Sequence, residues 1–139
     1  MIRLHVTAEG QTEKNFVRVI LTPHLANYGV YADARCVYTS PQHRGGLIRP
    51  YAVIKRDIEN WMKEDRHPQC RFTTMFDLYA LPNDFPGYNE ARRIQDAYEK
   101  VRKLESALKE DVGSIRFIPY IQLHEFEALI LSDPEKLDW

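Results

Sequence analysis

The stretch Ile2-Arg3-Leu4-His5-Val6-Thr7-Ala8, followed by Glu9-Gly10, decides the fold of this chain. It reads as an extended strand that runs straight into a carboxylate. A later stretch, Arg71-Phe72-Thr73-Thr74-Met75-Phe76, runs in the same way into Asp77. If both strands belong to one parallel sheet, Glu9 and Asp77 lie at its carboxyl edge, where ligands bind in open α/β sheets. Two carboxylates at that edge predict a divalent metal site, because hard cations such as Mg²⁺ take oxygen ligands.

Composition limits the range of functions. The chain has 139 residues, 44% of them hydrophobic and 28% charged, which predicts one soluble globular domain over 1–139. The net charge of −1 excludes a global basic field that would attract nucleic acid or anionic lipid. Cys36 and Cys70 lack the spacing of metal ligands, and we expect both to be reduced thiols. Without a leader pattern or a long apolar run, we expect a cytoplasmic location and no membrane association.

Strand-like and helix-like patterns alternate along the chain. The strand-like segments are 2–8, 31–39, 72–79 and 115–122. Thr12 is the predicted N-cap of a first helix, Pro23 is expected to kink or shorten it, and a second helix begins at Tyr51. Asn89 is the predicted cap of a long third helix with an apolar stripe made of Ile94, Tyr98, Val101, Leu104 and Leu108. This alternation predicts an α/β fold with a mostly parallel sheet of about four strands and helices on both faces.

The end of the sequence has an unusual pattern. A short apolar run precedes Ser132-Asp133-Pro134, which restarts a capped helical pattern, and the chain stops at Trp139 without a C-cap signal. We therefore expect the domain to be truncated at its C-terminus.

Several polar side chains follow the predicted strands and would join Glu9 and Asp77 at the carboxyl edge: Tyr38, Thr39, Tyr79, Gln122, His124 and Glu125. Each residue also has a structural interpretation. The alternative for Glu9 is a carboxylate that interacts with the amides of the next helix. The alternative for Asp77 is a turn-forming residue, and for His124 a capping or packing histidine.

Glu9-Gly10 after the first strand and Asp77 after the third resemble the arrangement of the Toprim-like superfamily. That Rossmann-like fold is shared by topoisomerases, primases, recombination-repair proteins and the OLD-family nucleases. More narrowly, residues 9–13, 74–87 and 119–129 are similar to an uncharacterised prokaryotic family placed in that group. The resemblance implies a Toprim-like fold and an ATPase of the AAA or ABC type as partner.

The sequence departs from the Toprim-like pattern at Tyr79. The pattern has an Asp-x-Asp at the third strand, and a tyrosine, whose phenol is neutral at physiological pH, is a poor Mg²⁺ ligand. Because Mg²⁺ needs only one or two protein carboxylates, Glu9 and Asp77 suffice to hold one ion. Asp84, Glu125 and Glu127 are available as replacement acids, and Glu125 is the third catalytic candidate.

Basic residues around Gly45-Gly46 are candidates for phosphate binding. Arg44 precedes the glycines, and Lys55 and Arg56 follow on the predicted second helix. The alternative is a surface loop ahead of a solvated helix face. Arg92-Arg93 and Arg102-Lys103 are interpreted as a solvated face of the third helix.

These observations favour a metal-dependent phosphoryl-transfer enzyme acting on nucleic acid, a nuclease in a defence-type or DNA-processing system. Glu9 and Asp77 would hold Mg²⁺ or Mn²⁺, and Arg44, Lys55 or Arg56 would hold the phosphodiester. Two alternatives stay open. One is a non-catalytic, degenerate Toprim-like subunit that docks onto an ATPase, and the other is a nucleotide-binding regulator.

Overall fold

The computed structural model describes residues 1–37 and 50–124. Its strands are β1 (Ile2–Ala8), β2 (Val30–Cys36), β3 (Cys70–Asp77), β4 (Phe117–Ile118) and β5 (Ile121–Gln122). Its α-helices are α1 (Gln11–Phe16), α2 (Thr22–Ala26), α3 (Tyr51–Glu64), α4 (Tyr88–Ala91) and α5 (Ala97–Val112). A π-helical turn (Val17–Leu21) joins α1 to α2, and a 3₁₀ turn (Leu78–Ala80) follows β3.

The strands form a parallel sheet in the order β2-β1-β3-β4, with β5 also paired to β3. The prediction of an α/β fold with a mostly parallel sheet is confirmed. The sheet has five strands instead of about four, because the predicted segment 115–122 divides into β4 and β5. Pro119 lies between them and has no amide proton to donate to a sheet.

Helices cover both faces of the sheet, as predicted. Buried side chains alternate along β3, and Cys70, Phe72 and Phe76 pack with residues of α3 and α5. On the opposite face Val6 packs with Val17 of the π-helical turn. Because α1 follows β1 on one face while α5 follows β3 on the other, the two connections leave these adjacent strands in opposite directions.

The prediction of one long third helix is wrong, because the chain forms two separate helices, α4 and α5, in that segment. Asp96 caps α5, and its carboxylate accepts hydrogen bonds from the amides of Tyr98 (2.8 Å) and Glu99 (3.2 Å). An aspartate at this position starts a new helix by satisfying its first amides. The predicted burial of Val101, Leu104 and Leu108 is confirmed, whereas Tyr98 is 63% exposed and Ile94 is half-buried.

The first helix begins at Gln11 with Gly10 as its N-cap, so the predicted cap at Thr12 is wrong. Pro23 does not end the helix, which continues to Ala26. The Thr22 hydroxyl donates to the carbonyl of Val17 (2.8 Å), within the π-helical turn that precedes the proline. Gly29, at φ 73°, closes the turn into β2.

Cys36 and Cys70 are free thiols, as predicted. Among the helices of the described ranges, none has the length and apolar character needed to cross a bilayer.

Candidate metal centre at the carboxyl edge of the sheet

The order in which the chain adds strands to the sheet reverses between β1 and β3. From β1 the chain goes to β2 on one side and then returns past β1 to β3 on the other. In open α/β sheets such a reversal leaves a crevice outside the carboxyl ends of the two strands, and ligands bind there. Glu9 follows β1 directly and Asp77 is the last residue of β3, so both lie at this crevice.

Backbone hydrogen bonds hold Glu9 against the end of β3. The Glu9 amide donates to the carbonyl of Met75 (3.2 Å), and the Asp77 amide donates to the Glu9 carboxylate (3.2 Å). The expected placement of Glu9 and Asp77 on adjacent parallel strands, at the same edge, is confirmed. Asp77 is both the last residue of β3 and the N-cap of the 3₁₀ turn that follows, and its side chain makes no capping hydrogen bond to that turn.

Glu13 completes a group of three carboxylates that the sequence analysis did not identify. One carboxylate oxygen from each of Glu9, Glu13 and Asp77 lies within 4.8 Å of the others. Glu13 is 8% exposed, and its side chain makes no hydrogen bond or ion pair with another described residue. The signal in the sequence is the four-residue spacing from Glu9 to Glu13. That spacing returns Glu13 to the strand end because α1 starts two residues after Glu9.

The three carboxylates suit a hard divalent cation. Two oxygens that bind one Mg²⁺ lie at most about 4.2 Å apart, since each is about 2.1 Å from the ion. The oxygens of the three carboxylates lie within 4.8 Å of one another, close to that range. Three partly buried negative charges repel one another, and a bound cation would offset that repulsion.

Tyr120 and Gln122 border the carboxylates on the side of β5. Gln122 is buried and pairs in register with Asp77. The Tyr120 phenol donates a hydrogen bond to the Gln122 side-chain oxygen. Burial raises the pKa of Tyr120 above its ordinary value, and the charges of Glu105 and Asp77 raise it further. Tyr120 is therefore a neutral hydrogen-bonding group close to Asp77, and the sequence analysis did not identify it.

An apolar groove of about 380 Å³ lies on the same face of the sheet as the carboxylates. Phe16, Met75 and Tyr120 are among its lining residues. Met75 precedes Asp77 by two positions, so both side chains project from the same face of β3. The carboxylates therefore stand at one end of an apolar surface.

Other acids and bases proposed from the sequence lie elsewhere or outside the described residues. Asp84 accepts the Tyr51 amide (3.1 Å) and so stabilises the start of α3. The Lys55 ammonium lies 3.1 Å from the Asp111 carboxylate and 3.9 Å from that of Glu59. Arg56 is exposed. His124 is exposed at the end of the described range. Five further predicted residues lie outside the described ranges: Tyr38, Thr39, Arg44, Glu125 and Glu127.

A second group with metal-ligand side chains, His5, Asp65 and Cys70, is better explained as a structural ion pair. The Asp65 carboxylate accepts two hydrogen bonds from Arg3 (2.8 and 2.7 Å) and contacts His5 Nε2 at 2.6 Å. Arg116 lies 3.4 Å from the Cys70 sulfur. Two guanidinium groups at this position oppose a metal cation. The group ties the start of β1 and of β3 to the end of α3.

Comparison with known proteins assigns the chain to one domain family. A family model described as "Domain of unknown function (DUF4276)" matches residues 8–138. No curated protein and no solved structure matches the chain. The expected membership of an uncharacterised family is confirmed.

Proposed function

The chain belongs to the DUF4276 family, a domain of unknown function, and we propose from its own geometry that it is a metal-dependent phosphoryl-transfer enzyme acting on nucleic acid. The observation that carries the proposal is the group of three carboxylates, within 4.8 Å of one another, at the crevice between β1 and β3. Oxygen ligands of this kind bind Mg²⁺ and Mn²⁺, the ions that accompany phosphate chemistry in proteins.

Glu9, Glu13 and Asp77 would hold the ion. When bound, a divalent cation would stabilise the negative charge that develops on the phosphoryl oxygens. The chain would supply the rest through its own groups. The hydrogen bond from the Asp77 amide keeps the Glu9 carboxylate oriented into the crevice. The Tyr120 phenol, close to Asp77, donates its one O–H to the Gln122 side-chain oxygen and would so orient the Gln122 amide at the edge of the site.

The relationship to the Toprim-like superfamily and its OLD-family nucleases is part of this proposal. It is supported by the positions of Glu9 and Asp77 after adjacent parallel strands. At the position of the second aspartate, Tyr79 is 76% exposed, so its phenol is not buried with the carboxylates. Glu13 supplies the third carboxylate from α1 instead.

The remaining parts of the proposal concern the substrate and partner. Arg44, Lys55 and Arg56 are proposed to bind the phosphodiester, with Arg56 favoured over Lys55 because the Lys55 ammonium already pairs with Asp111. Glu125 is proposed as a further catalytic acid. An ATPase of the AAA or ABC type is proposed as the partner in the cytoplasm of a prokaryote.

The proposal is tested by incubating the purified full-length protein with labelled single-stranded and double-stranded DNA and RNA. Each reaction is run with Mg²⁺, with Mn²⁺ and with EDTA, with and without an added ATPase of the AAA or ABC type. Cleavage that requires the divalent ion and disappears in Glu9→Gln supports the proposal. Cleavage that Glu9→Gln leaves unchanged would overturn it.

One observation favours a second candidate, a non-catalytic subunit that docks onto an ATPase. The second aspartate of the Toprim-like pattern is replaced by an exposed tyrosine, as expected of a domain that has lost the chemistry. In that case the protein binds the ATPase tightly in a pull-down experiment, and the complex does not cut nucleic acid with either metal. A nucleotide-binding regulator, the third alternative, would show nucleotide binding by calorimetry without cleavage.

A further inference from the structure

A small pocket opens directly beyond Asp77. It has a volume of about 160 Å³, and its lining includes Leu78 and Tyr79, the two residues that follow β3. Buried Leu78 and Leu104 contribute apolar surface to it. This volume is below the roughly 300–1,000 Å³ of typical small-molecule sites, so the pocket suits one chemical group of a larger ligand.

Two cationic side chains, Arg92 and Lys100, also line the pocket. Neither forms an ion pair with another described residue. This distinguishes them from Lys55 and Arg35, whose charges pair with Asp111 (3.1 Å) and Glu64 (2.8 Å). The charges of Arg92 and Lys100 are therefore available to an anionic ligand, and an arginine binds phosphate in a bidentate geometry.

Aromatic rings complete the lining. Tyr79 is 76% exposed and Tyr88 is half-buried, and both line the same pocket as the cations. An exposed ring beside unpaired positive charge matches the chemistry of single-stranded nucleic acid, whose bases stack on aromatic side chains while its phosphates pair with Arg and Lys. The bases of a duplex are already stacked on one another, so they are not available to stack on the Tyr79 ring.

We propose that Tyr79, Arg92 and Lys100 form a binding site for single-stranded nucleic acid, with one base stacked on Tyr79 and the adjoining phosphate held by the two cations. The proposal rests on the proposed function in that nucleic acid is the substrate. Tyr79 is two residues from Asp77, a distance of at most about 7 Å along the chain. A strand held at Tyr79 would therefore pass within reach of Asp77.

This assignment revises the interpretation of Arg92-Arg93 as an undifferentiated solvated face. Arg92 lines the pocket, whereas Arg93, its exposed neighbour, does not. The pair therefore provides a matched control in which the same charge is removed inside and outside the pocket. Tyr98, 63% exposed and outside the pocket, is the corresponding control for Tyr79.

The test measures binding of a fluorescein-labelled single-stranded oligodeoxythymidine to the full-length protein by fluorescence anisotropy in EDTA. We expect Tyr79→Ala to weaken binding by about 5- to 100-fold, the effect of losing one stacked base, and Tyr79→Phe to bind like the wild type. Loss of one phosphate contact in Arg92→Ala or Lys100→Ala should reduce the salt-dependence slope by about 0.7. Arg93→Ala and Tyr98→Ala should have smaller effects.

The proposal is overturned if the wild type does not bind the single strand, if duplex DNA competes equally well, or if the pocket variants bind no more weakly than their controls. Thermal melting checks that each variant is folded. Because Tyr79 is exposed, its substitution should not disturb the fold. EDTA separates this test from that of the catalytic proposal. Binding in EDTA that depends on the pocket, without cleavage under any condition, would support the binding site and contradict the nuclease proposal. Cleavage without pocket-dependent binding would support the nuclease proposal and contradict the binding site.

Discussion

The backbone amide of Asp77 donates a 3.2 Å hydrogen bond to the side-chain carboxylate of Glu9, and 68 positions of sequence separate the two residues. The contact holds the carboxylate that follows β1 over the end of β3. Its donor is a main-chain group, so a change of the Asp77 side chain does not remove it. An amide oxygen can accept the same hydrogen bond, so the charge of either residue can be removed with little change of shape.

Glu9→Gln and Asp77→Asn are therefore expected to fold normally and to lose Mg²⁺- or Mn²⁺-dependent cleavage, because the neutral amides bind these ions weakly. Calorimetric titration with Mn²⁺ should show the loss of affinity directly. Tyr79→Phe, which removes a phenol that is not expected to bind metal, is the control and should keep its metal affinity. Full metal affinity in Glu9→Gln would contradict the assignment.

Glu13→Gln is expected to raise the melting temperature of the metal-free protein, because it removes one of three carboxylates that repel one another. It should also reduce the increase in melting temperature that Mn²⁺ produces in the wild type. Glu99→Gln, an exposed glutamate on α5, is the matched control and should change neither value. If Glu13→Gln melts at a lower temperature with an unchanged response to Mn²⁺, Glu13 has a structural role instead.

Leu104→Ala is expected to lower the free energy of unfolding by about 2–5 kcal/mol, since Leu104 is 2% exposed in the core between α5 and the sheet. Urea denaturation gives this value. Tyr98→Ala, on the same helix but exposed, should stay within about 0.5 kcal/mol of the wild type. Equal effects of the two changes would mean that α5 packs differently.

Asp65 is expected to make the fold sensitive to acid. Hydrogen bonds from Arg3 and then from His5 lower the pKa of the Asp65 carboxyl from its ordinary value of 3.8. A carboxyl whose pKa is lower in the folded state stabilises the protein fully above the unfolded value and loses that contribution as the pH falls through the folded value. Unfolding free energies measured from neutral pH downward should therefore decline below about pH 5.

Asp65→Asn should lower stability at neutral pH by about 1.5–3 kcal/mol, the contribution of hydrogen bonds to a charged group, and should flatten this acid dependence. Glu64→Gln is the control. The ion pair of Glu64 with Arg35 is largely exposed, so its loss should cost less than about 1 kcal/mol. An unchanged pH profile in Asp65→Asn would show that other carboxyl groups dominate.

Much of the fold could be predicted from local patterns. The runs that end at Glu9 and Asp77 have few alternatives to buried parallel strands, and the apolar spacing of Val101, Leu104 and Leu108 places them in a helix that packs on the sheet. The positions of helix boundaries were less accurate. Capping by Asp96 competes with the continuous apolar pattern, and a single side-chain hydrogen bond decides where α5 begins.

The sequence by itself determined the two strand ends that carry carboxylates, because strand formation and burial depend on neighbouring residues. Tertiary structure alone decided that Glu13 joins Glu9 and Asp77, that Lys55 pairs with Asp111, and that Arg92 and Lys100 line a pocket with Tyr79. Each of these depends on the distance between side chains on different elements. Such distances are set by the order of the strands and by how the helices pack on the sheet, and a local pattern of residues carries no record of either.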